Sequence, residues 1–340
     1  MLTRLTRPGF GPSPGSAPAN YNPPPYGDGH AGPNQPVPTA PWGESDGYAP
    51  SGISDTLILY HNGHETESCT PNYDGVVDHF NQLGYDVMEL MMPMLGCNLI
   101  PPSMGQHTGH KWFKQFEEKG DYTMRYFIEP VALAAMHGRR LGYKHIALVG
   151  LSGGGWTTTV AAAVVPAITL SIPIAGSIPK WPTASWPHWL PSLPDGRNHS
   201  AVSPDIFHPA PSIGSGGDYE QWQERPMYAA VGGYLQLYVL GSLERGRCQV
   251  QILHEYDTCC FRGAGLFDEI RAYNLWAQAK LSARPNSGWF QTAVTAGNFH
   301  EVNPRDKVII ALLVERLRRK RAPLGREDFV TLPFDDLQVQ

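Results

Sequence analysis

One serine stands between glycines at a point where an apolar run gives way to an alanine-rich segment. Residues 145–149 are apolar and β-branched, and the alanines and valines up to Val165 can continue as a buried helix. Between them lies Gly150-Leu151-Ser152-Gly153-Gly154, a G-x-S-x-G pattern in the strand–turn–helix context typical of a nucleophile elbow. A serine on such a turn has a strained backbone and leaves no room for neighbouring side chains, which explains the glycines. A glycine-rich turn with a capping serine is the alternative interpretation.

The rest of the chain predicts a sheet on which this turn can be mounted. Short apolar runs predict strands at 55–60, 85–91, 145–149, 167–173, 249–256 and 289–295. Between and after them, helices are predicted at 73–83, 122–141, 227–243, 265–283 and 304–319. Strands that alternate with helices indicate an α/β protein with a doubly wound, mostly parallel sheet.

Polar residues follow four of these predicted strands. The first strand is followed by His61-Asn62-Gly63-His64, the third by Ser152, the fifth by Asp257 and the sixth by His300. Sites in doubly wound sheets lie beyond the carboxyl ends of the strands, so we expect these residues to lie close together.

The order of these residues, serine then acid then histidine, is that of the α/β-hydrolase triad. The segment from about 51 to 320 resembles an α/β-hydrolase fold domain of the serine esterase and lipase type. The motifs that carry the resemblance are GLSGG at 150–154, YHNGH at 60–64, EYD at 255–257 and NFH at 298–300. YHNGH departs from the HGGG form of lipases and esterases, which leaves open whether Gly63 or His64 supplies the second oxyanion-hole amide.

The resemblance implies a role for each residue. Ser152 would be the nucleophile, and His300 would be the base that activates it and the acid for the leaving group. Asp257 would hold the imidazole tautomer, and the amides of Gly153 and of Gly63 or His64 would bind the oxyanion. This chemistry requires no cofactor.

Other interpretations of the same residues remain open. Asp257 could instead be a helix N-cap, and Glu255 could serve as the acid of the triad. His61, His64 and Glu65 could bind zinc, although a glycine loop lacks the helical H-E-x-x-H spacing. We favour packing and hydrogen bonding against the elbow for these side chains, and therefore no metal.

Three segments flank or interrupt the predicted domain, which spans 51–325. Residues 1–50 contain twelve prolines and eight glycines and are predicted to be a disordered arm or linker. The tail is 326–340. A Trp/Pro-rich insertion at about 177–225 is predicted to form a cap, with Trp181, Trp186 and Trp189 contacting the substrate. Trp156, in the elbow helix, is expected to be core packing.

Composition limits the remaining possibilities. The net charge of −5 and the single basic cluster at 316–321 give no sign of a nucleic-acid-binding arm. No apolar run is long enough to span a membrane. The start MLTRLTRPGF has the charges of a signal peptide without its apolar core, so a cytoplasmic location is favoured, with export open if a leader is missing.

Five cysteines are too few for a disulfide scaffold, and five thiols are favoured, with Cys69–Cys97 as the possible pair.

The sequence thus predicts a serine hydrolase that cleaves carboxylic esters, small or polymeric, through an acyl-enzyme. An amidase or peptidase, or an acyltransferase, could use the same triad. A non-catalytic binding protein on the same fold is the alternative of another class. The oligomeric state is left open.

Overall fold

The computed structural model describes residues 3–6, 55–64, 72, 74–98, 110–179, 232–259, 261 and 267–319. The strands are β1 (Thr3–Thr6), β2 (Thr56–His61), β3 (Asp86–Leu90), β4 (His145–Leu151), β5 (Leu170–Ile174), β6 (Cys248–His254) and β7 (Trp289–Thr295). The α-helices are α1 (Val76–Gln82), α2 (Phe113–Glu118), α3 (Arg125–Arg140), α4 (Gly153–Val164), α5 (Tyr234–Gly241), α6 (Phe267–Ser282) and α7 (Pro304–Arg319). Short 3-10 turns lie at Gly96–Asn98 and His110–Trp112.

The strands form one sheet in the order β1-β3-β2-β4-β5-β6-β7. Every pairing from β3 through β7 is parallel, and β1 alone runs antiparallel, beside β3. The prediction of a mostly parallel, doubly wound α/β sheet is confirmed. All six parallel strands end at the same edge, and this geometry brings the polar residues that follow them together.

Strand β1 was not predicted. Thr3 pairs with Leu90 and Thr6 with Val87, so the start of the proline-rich arm extends the sheet by one edge strand. Four residues are too short a run to show a period in the sequence, and the pairing partner is about 80 residues away. The other residues of the predicted arm, most of the predicted cap and the tail lie outside the described residues.

Both faces of the sheet are buried, and β2 shows how its side chains divide between them. Ile58 and Tyr60 pack in the cluster that contains the apolar residues of α1 and α7. Leu57 and Leu59 point the other way, into the cluster with α3. The apolar residues of α4, α5 and α6 cover this second face where β6 and β7 lie. The strand therefore alternates, as the pleat requires, while being apolar throughout.

Helix α5 begins later than predicted. The sequence predicted a helix over 227–243, but the described part begins at Tyr234. Gly232 has φ 110°, a conformation that right-handed helix excludes, so the glycine pair precedes the helix instead of lying within it. Among the described residues, no helix is both long and apolar enough to cross a membrane.

The cysteine prediction was wrong at one position. Cys248 is a free, buried thiol in β6. Cys259, two residues after Asp257, is disulfide-bonded, and its partner sulfur lies outside the described side chains. Five cysteines in a chain of this length carry no pairing signal in their spacing, so this bond could not be read from the sequence.

Candidate active site

Ser152 occupies the sharp turn between β4 and α4. Its backbone has φ 56° and ψ −123°, in the left-handed half of conformational space that side chains rarely tolerate. The turn is fixed on both sides, because the Ser152 amide donates to Ile174 O at 2.9 Å and its carbonyl accepts from Trp156 N at 2.9 Å. The residue is only 4% exposed. The geometry is that of a strand-to-helix elbow.

The glycines around Ser152 are required by close backbone approach. A Cβ at Gly154 would lie 2.1 Å from the carbonyl oxygen of His61, and one at Gly155 would lie 2.5 Å from that of Ile174. A Cβ at Gly150 would lie 2.3 Å from the carbonyl oxygen of Gly154. Backbone atoms of the neighbouring strands and of the first turn of α4 therefore lie so close to these glycines that no side chain fits there.

The loop after β2 lies directly against the elbow. A Cβ at Gly153 would lie 2.3 Å from Cε1 of His64, so the imidazole covers the first turn of α4. Asn62 anchors this loop: its amide donates to Leu90 O at 2.9 Å and its side chain donates to Glu89 Oε1 at 2.9 Å. The structure thus brings the loop that contains Gly63 and His64 next to Gly153.

A second imidazole, which the sequence analysis did not identify, holds His64. The Pro93 carbonyl can only accept, so His110 Nε2 donates to it at 2.9 Å. In neutral His110, Nδ1 is then an acceptor for the Nε2–H of His64, at 2.9 Å. This chain fixes the ring of His64 against the elbow. His110 follows a Pro/Gly-rich loop, and nothing in its spacing marks it.

His61 is fully buried and neutral. Burial lowers its pKa to about 4, and its Nδ1 lies 2.8 Å from the Asn62 carbonyl, to which it donates. Within the described ranges no group of three or more His, Cys, Asp or Glu residues could hold a metal ion. Glu65, the third ligand considered from the sequence, lies outside those ranges.

Asp257 and His300 meet across the loops after β6 and β7. His300 Nδ1 donates to Asp257 Oδ2 at 2.8 Å, and the Cys259 amide donates to Asp257 Oδ1 at 2.7 Å. The carboxylate is 0% exposed and the imidazole 14% exposed. Because Nδ1 carries the hydrogen, Nε2 of neutral His300 has a lone pair, and this buried atom has no hydrogen-bond partner among the described residues.

The same contact identifies which of the two candidate acids, Asp257 or Glu255, lies against His300. Asp257, not Glu255, bonds to His300. Glu255 is half-buried and its amide continues the pairing with β7 by donating to Thr295 O.

A second imidazole–carboxylate pair lies behind this one. His254, the last residue of β6, is 0% exposed, and its Nε2 lies 2.8 Å from Asp306 Oδ2 in the first turn of α7. Its Nδ1 lies 3.8 Å from Asp257 Oδ2. Neither His254 nor Asp306 was identified from the sequence, since one is a strand residue and the other resembles an ordinary acid at a helix start.

The predictions for the tryptophans differ in how far the structure bears on them. Trp181, Trp186 and Trp189 lie outside the described residues, so their contact with substrate stays a prediction. Trp156 is fully buried, and its ring packs edge-to-face on Phe127 at 5.1 Å between centroids. The expectation of core packing for Trp156 is confirmed.

The sequence matches no protein-family model and no curated protein. Solved structures do resemble it. An acylaminoacyl peptidase from Pyrococcus horikoshii superposes with a TM-score of 0.50 at 12% identity, covering 84% of this chain and 41% of the peptidase. An esterase from Pyrobaculum calidifontis gives 0.43 at 16% identity, covering 77% and 75% of the two chains. Est1E from Butyrivibrio proteoclasticus gives 0.43 at 13%, covering 77% and 87%.

The likeness to the peptidase, together with the strand order and the elbow, establishes the fold. The chain has the α/β-hydrolase fold.

Proposed function

We propose that this protein is a serine hydrolase that cleaves carboxylic esters through an acyl-enzyme. The observation that carries the proposal is the Asp257–His300 pair at 2.8 Å, whose remaining nitrogen, His300 Nε2, is buried without a partner among the described residues. A histidine oriented in this way can act as a general base, because its Nε2 can accept a proton from a neighbouring hydroxyl. Ser152, on its strained elbow at the same edge of the sheet, is the donor that fits.

Acylation begins when His300 Nε2 takes the hydroxyl proton of Ser152. The Oγ then attacks the ester carbonyl carbon, and the carbonyl π electrons move to oxygen. Gly153 N–H, at the positive end of α4, and an amide of Gly63 or His64 donate to this oxyanion. Collapse of the intermediate breaks the carbon–oxygen bond of the leaving alcohol, which takes its proton from His300. The products are the alcohol and an acylated Ser152.

Deacylation repeats the sequence with water. His300 Nε2 takes a proton from the water while its oxygen attacks the acyl carbon, and the Ser152 oxygen leaves with that proton. In both halves the imidazole becomes positively charged beside the buried Asp257 carboxylate, which stabilises the charge and holds Nδ1–H toward itself. Burial of the pair makes this electrostatic stabilisation stronger than it would be in water.

A fluorophosphonate probe tests the nucleophile. We expect the native protein to be labelled at Ser152 and Ser152→Ala not to be labelled. Ser171→Ala is the matched control, because Ser171 is a buried serine on the neighbouring strand β5 and its loss should leave labelling intact. An unlabelled native protein would favour the non-catalytic binding protein instead.

The substrate class needs a separate measurement. We expect hydrolysis of p-nitrophenyl esters, with kcat/KM varying along a series of rising acyl-chain length. The matched p-nitroanilides separate esterase from amidase or peptidase activity, and added alcohol acceptors reveal acyl transfer. Equal absence of turnover across all ester chain lengths would contradict the esterase assignment, even if the probe labels Ser152.

A further inference from the structure

His254 lies where it can act on the Asp257–His300 pair without touching a substrate. It is the last residue of β6 and is completely buried, with Asp306 at 2.8 Å from Nε2 and Asp257 at 3.8 Å from Nδ1. Asp257 Oδ2, the atom nearest to His254 Nδ1, is the same oxygen that accepts from His300. Four groups are therefore connected by successive contacts, from Asp306 in α7 through His254 and Asp257 to His300.

The surroundings of Asp306 fix its orientation. Oδ1 accepts from Thr295 Oγ1 at 3.0 Å, and Oδ2 accepts from the Asn303 amide at 3.0 Å as well as from His254. Asn303 Oδ1 in return accepts from the amides of Arg305 and Asp306, which caps α7. The carboxylate is thus held by a strand, a helix cap and an imidazole at once, so it cannot turn away from His254.

The charged groups that act on His254 are both carboxylates. Burial alone would lower the pKa of His254, but the hydrogen bond and charge of Asp306, the charge of Asp257 and the backbone of Phe299 together raise it. The neighbouring residues that β7 and its following loop place beside it, Thr295 and Gly297, are neutral. Burying a cation is costly, and a carboxylate on each side of the imidazole offsets that cost.

We infer that His254 is a positioning residue that carries a buried positive charge between Asp306 and Asp257 and thereby weakens the hold of Asp257 on a proton at His300. The inference rests on the proposed triad. Its effect is on how strongly Asp257 attracts a proton to His300, and therefore on how readily His300 acts as a base. Without the charge on His254, Asp257 would attract a proton to His300 more strongly.

The first experiment measures the rate of fluorophosphonate labelling against pH in the native protein and in His254→Gln. Glutamine can still donate to Asp306 but carries no charge. We expect the acidic limb of the profile to move up by about one pH unit, which is about a tenfold slower rate near pH 6, with little change at pH 8. An unchanged limb in a folded His254→Gln protein would overturn the inference.

Tyr143→Phe is the control for loss of a buried polar contact. Tyr143 is buried and donates to Asp86 at the amino end of β3, at the edge of the sheet away from the elbow. This variant should lose stability and keep the native pH profile. A shift of the same size in Tyr143→Phe would mean that the limb follows stability, and the role assigned to His254 would be wrong.

A second variant and a direct measurement test the inference if the His254→Gln protein does not fold. Asp306→Asn removes the anion that holds the proton on His254, and we expect the same upward movement of the limb. In the native protein labelled with 15N-histidine, His254 should carry hydrogens on both ring nitrogens at pH 6.5, because its pKa is raised above that value; a spectrum in which no buried histidine does so would contradict the inference. The spectrum can be recorded on an inactive protein. If the fluorophosphonate probe fails to react with the native protein, the proposed triad is refuted, and the spectrum still decides whether His254 is charged.

Discussion

Two imidazole–carboxylate pairs lie side by side in this protein with the same 2.8 Å separation, yet their surroundings differ. In the His300–Asp257 pair the imidazole is 14% exposed, and its second nitrogen has no partner among the described residues. In the His254–Asp306 pair the imidazole is 0% exposed, and its second nitrogen faces the carboxylate of the first pair. Only the imidazole of the first pair is partly exposed, whereas that of the second is enclosed between two carboxylates.

The chemistry of such a pair is decided by the group that lies next to the second ring nitrogen. The hydrogen bond between imidazole and carboxylate is common to both pairs and orients the ring in each. An open nitrogen makes the ring a base, whereas a second carboxylate makes it a buried cation. Replacing the corresponding residue in each pair should therefore have different effects on catalysis and on stability.

The largest difference should be in catalysis. His300→Gln removes the proposed base and should lower kcat/KM by roughly 10⁴- to 10⁶-fold, with only a small change in melting temperature. His254→Gln should change kcat/KM at pH 8 very little, because the proposed base and its orienting carboxylate remain. Steady-state kinetics on a p-nitrophenyl ester check both. Comparable losses in the two variants would remove the distinction between the pairs.

Stability should show the reverse order. Asp306→Asn leaves a buried imidazole without its counter-ion and also weakens the cap of α7, so it should lower the free energy of unfolding by about 3–5 kcal/mol. Asp257→Asn should instead act mainly on kcat/KM, by roughly 10³- to 10⁴-fold. Urea unfolding monitored by fluorescence gives the free energies. The comparison fails if Asp257→Asn proves the more destabilising of the two.

A third buried histidine, His61, should respond to pH in the opposite sense to His254. Its pKa is lowered from 6.5 to about 4, so the stability from its neutral form is present above pH 6.5 and is lost as the pH falls, by about 2 kcal/mol between pH 8 and pH 5. His254 has a raised pKa, so its contribution is full below pH 6.5 and is lost as the pH rises through the folded value.

Unfolding free energies measured from pH 5 to pH 9 should therefore show opposite trends. Relative to the native protein, His61→Gln should become comparatively more stable as the pH falls, and His254→Gln comparatively more stable as the pH rises. Parallel pH curves for the two variants would mean that the two imidazoles hold the same charge.

The smallest effect concerns the support of Asp306. Thr295→Val removes one hydrogen bond from a hydroxyl to the carboxylate oxygen Oδ1 while preserving shape, and should cost about 1.5 kcal/mol of unfolding free energy. The pH profile of probe labelling should stay where it is in the native protein, because the charge on His254 remains. A movement of the limb in this variant would show that the geometry of Asp306, as well as its charge, reaches His300.

The sequence predicted those parts of the molecule that depend on local patterns. The strand at 289–295 and the helix at 304–319 were predicted with the bounds that the structure has, because an apolar run and a proline at the first helical turn mark them clearly. The turn around Ser152 was recognisable because its glycines are forced by the conformation itself. Proximity of Asp257 and His300 followed from the parallel topology, since both follow strands that end at one edge.

The remaining parts depend on contacts between distant residues. His254 and Asp306 are 52 positions apart, and neither carries a local signature of its partner. His110 reaches His64 across 46 positions from the end of a loop. Strand β1 pairs with a segment more than 80 residues away. Such pairings are properties of the folded chain, and a single sequence gives no means of selecting them from the many histidines and acids available.

The backbone of Ser152 has a further consequence for how this chain would respond to selection. A residue with φ 56° is strained unless it is glycine, by about 1–3 kcal/mol, and every atom around the turn is arranged to hold it there. Screened for heat resistance alone, a library of variants should therefore drift toward glycine at position 152. On the proposed function, a serine at this position is retained for its reactivity at the expense of stability.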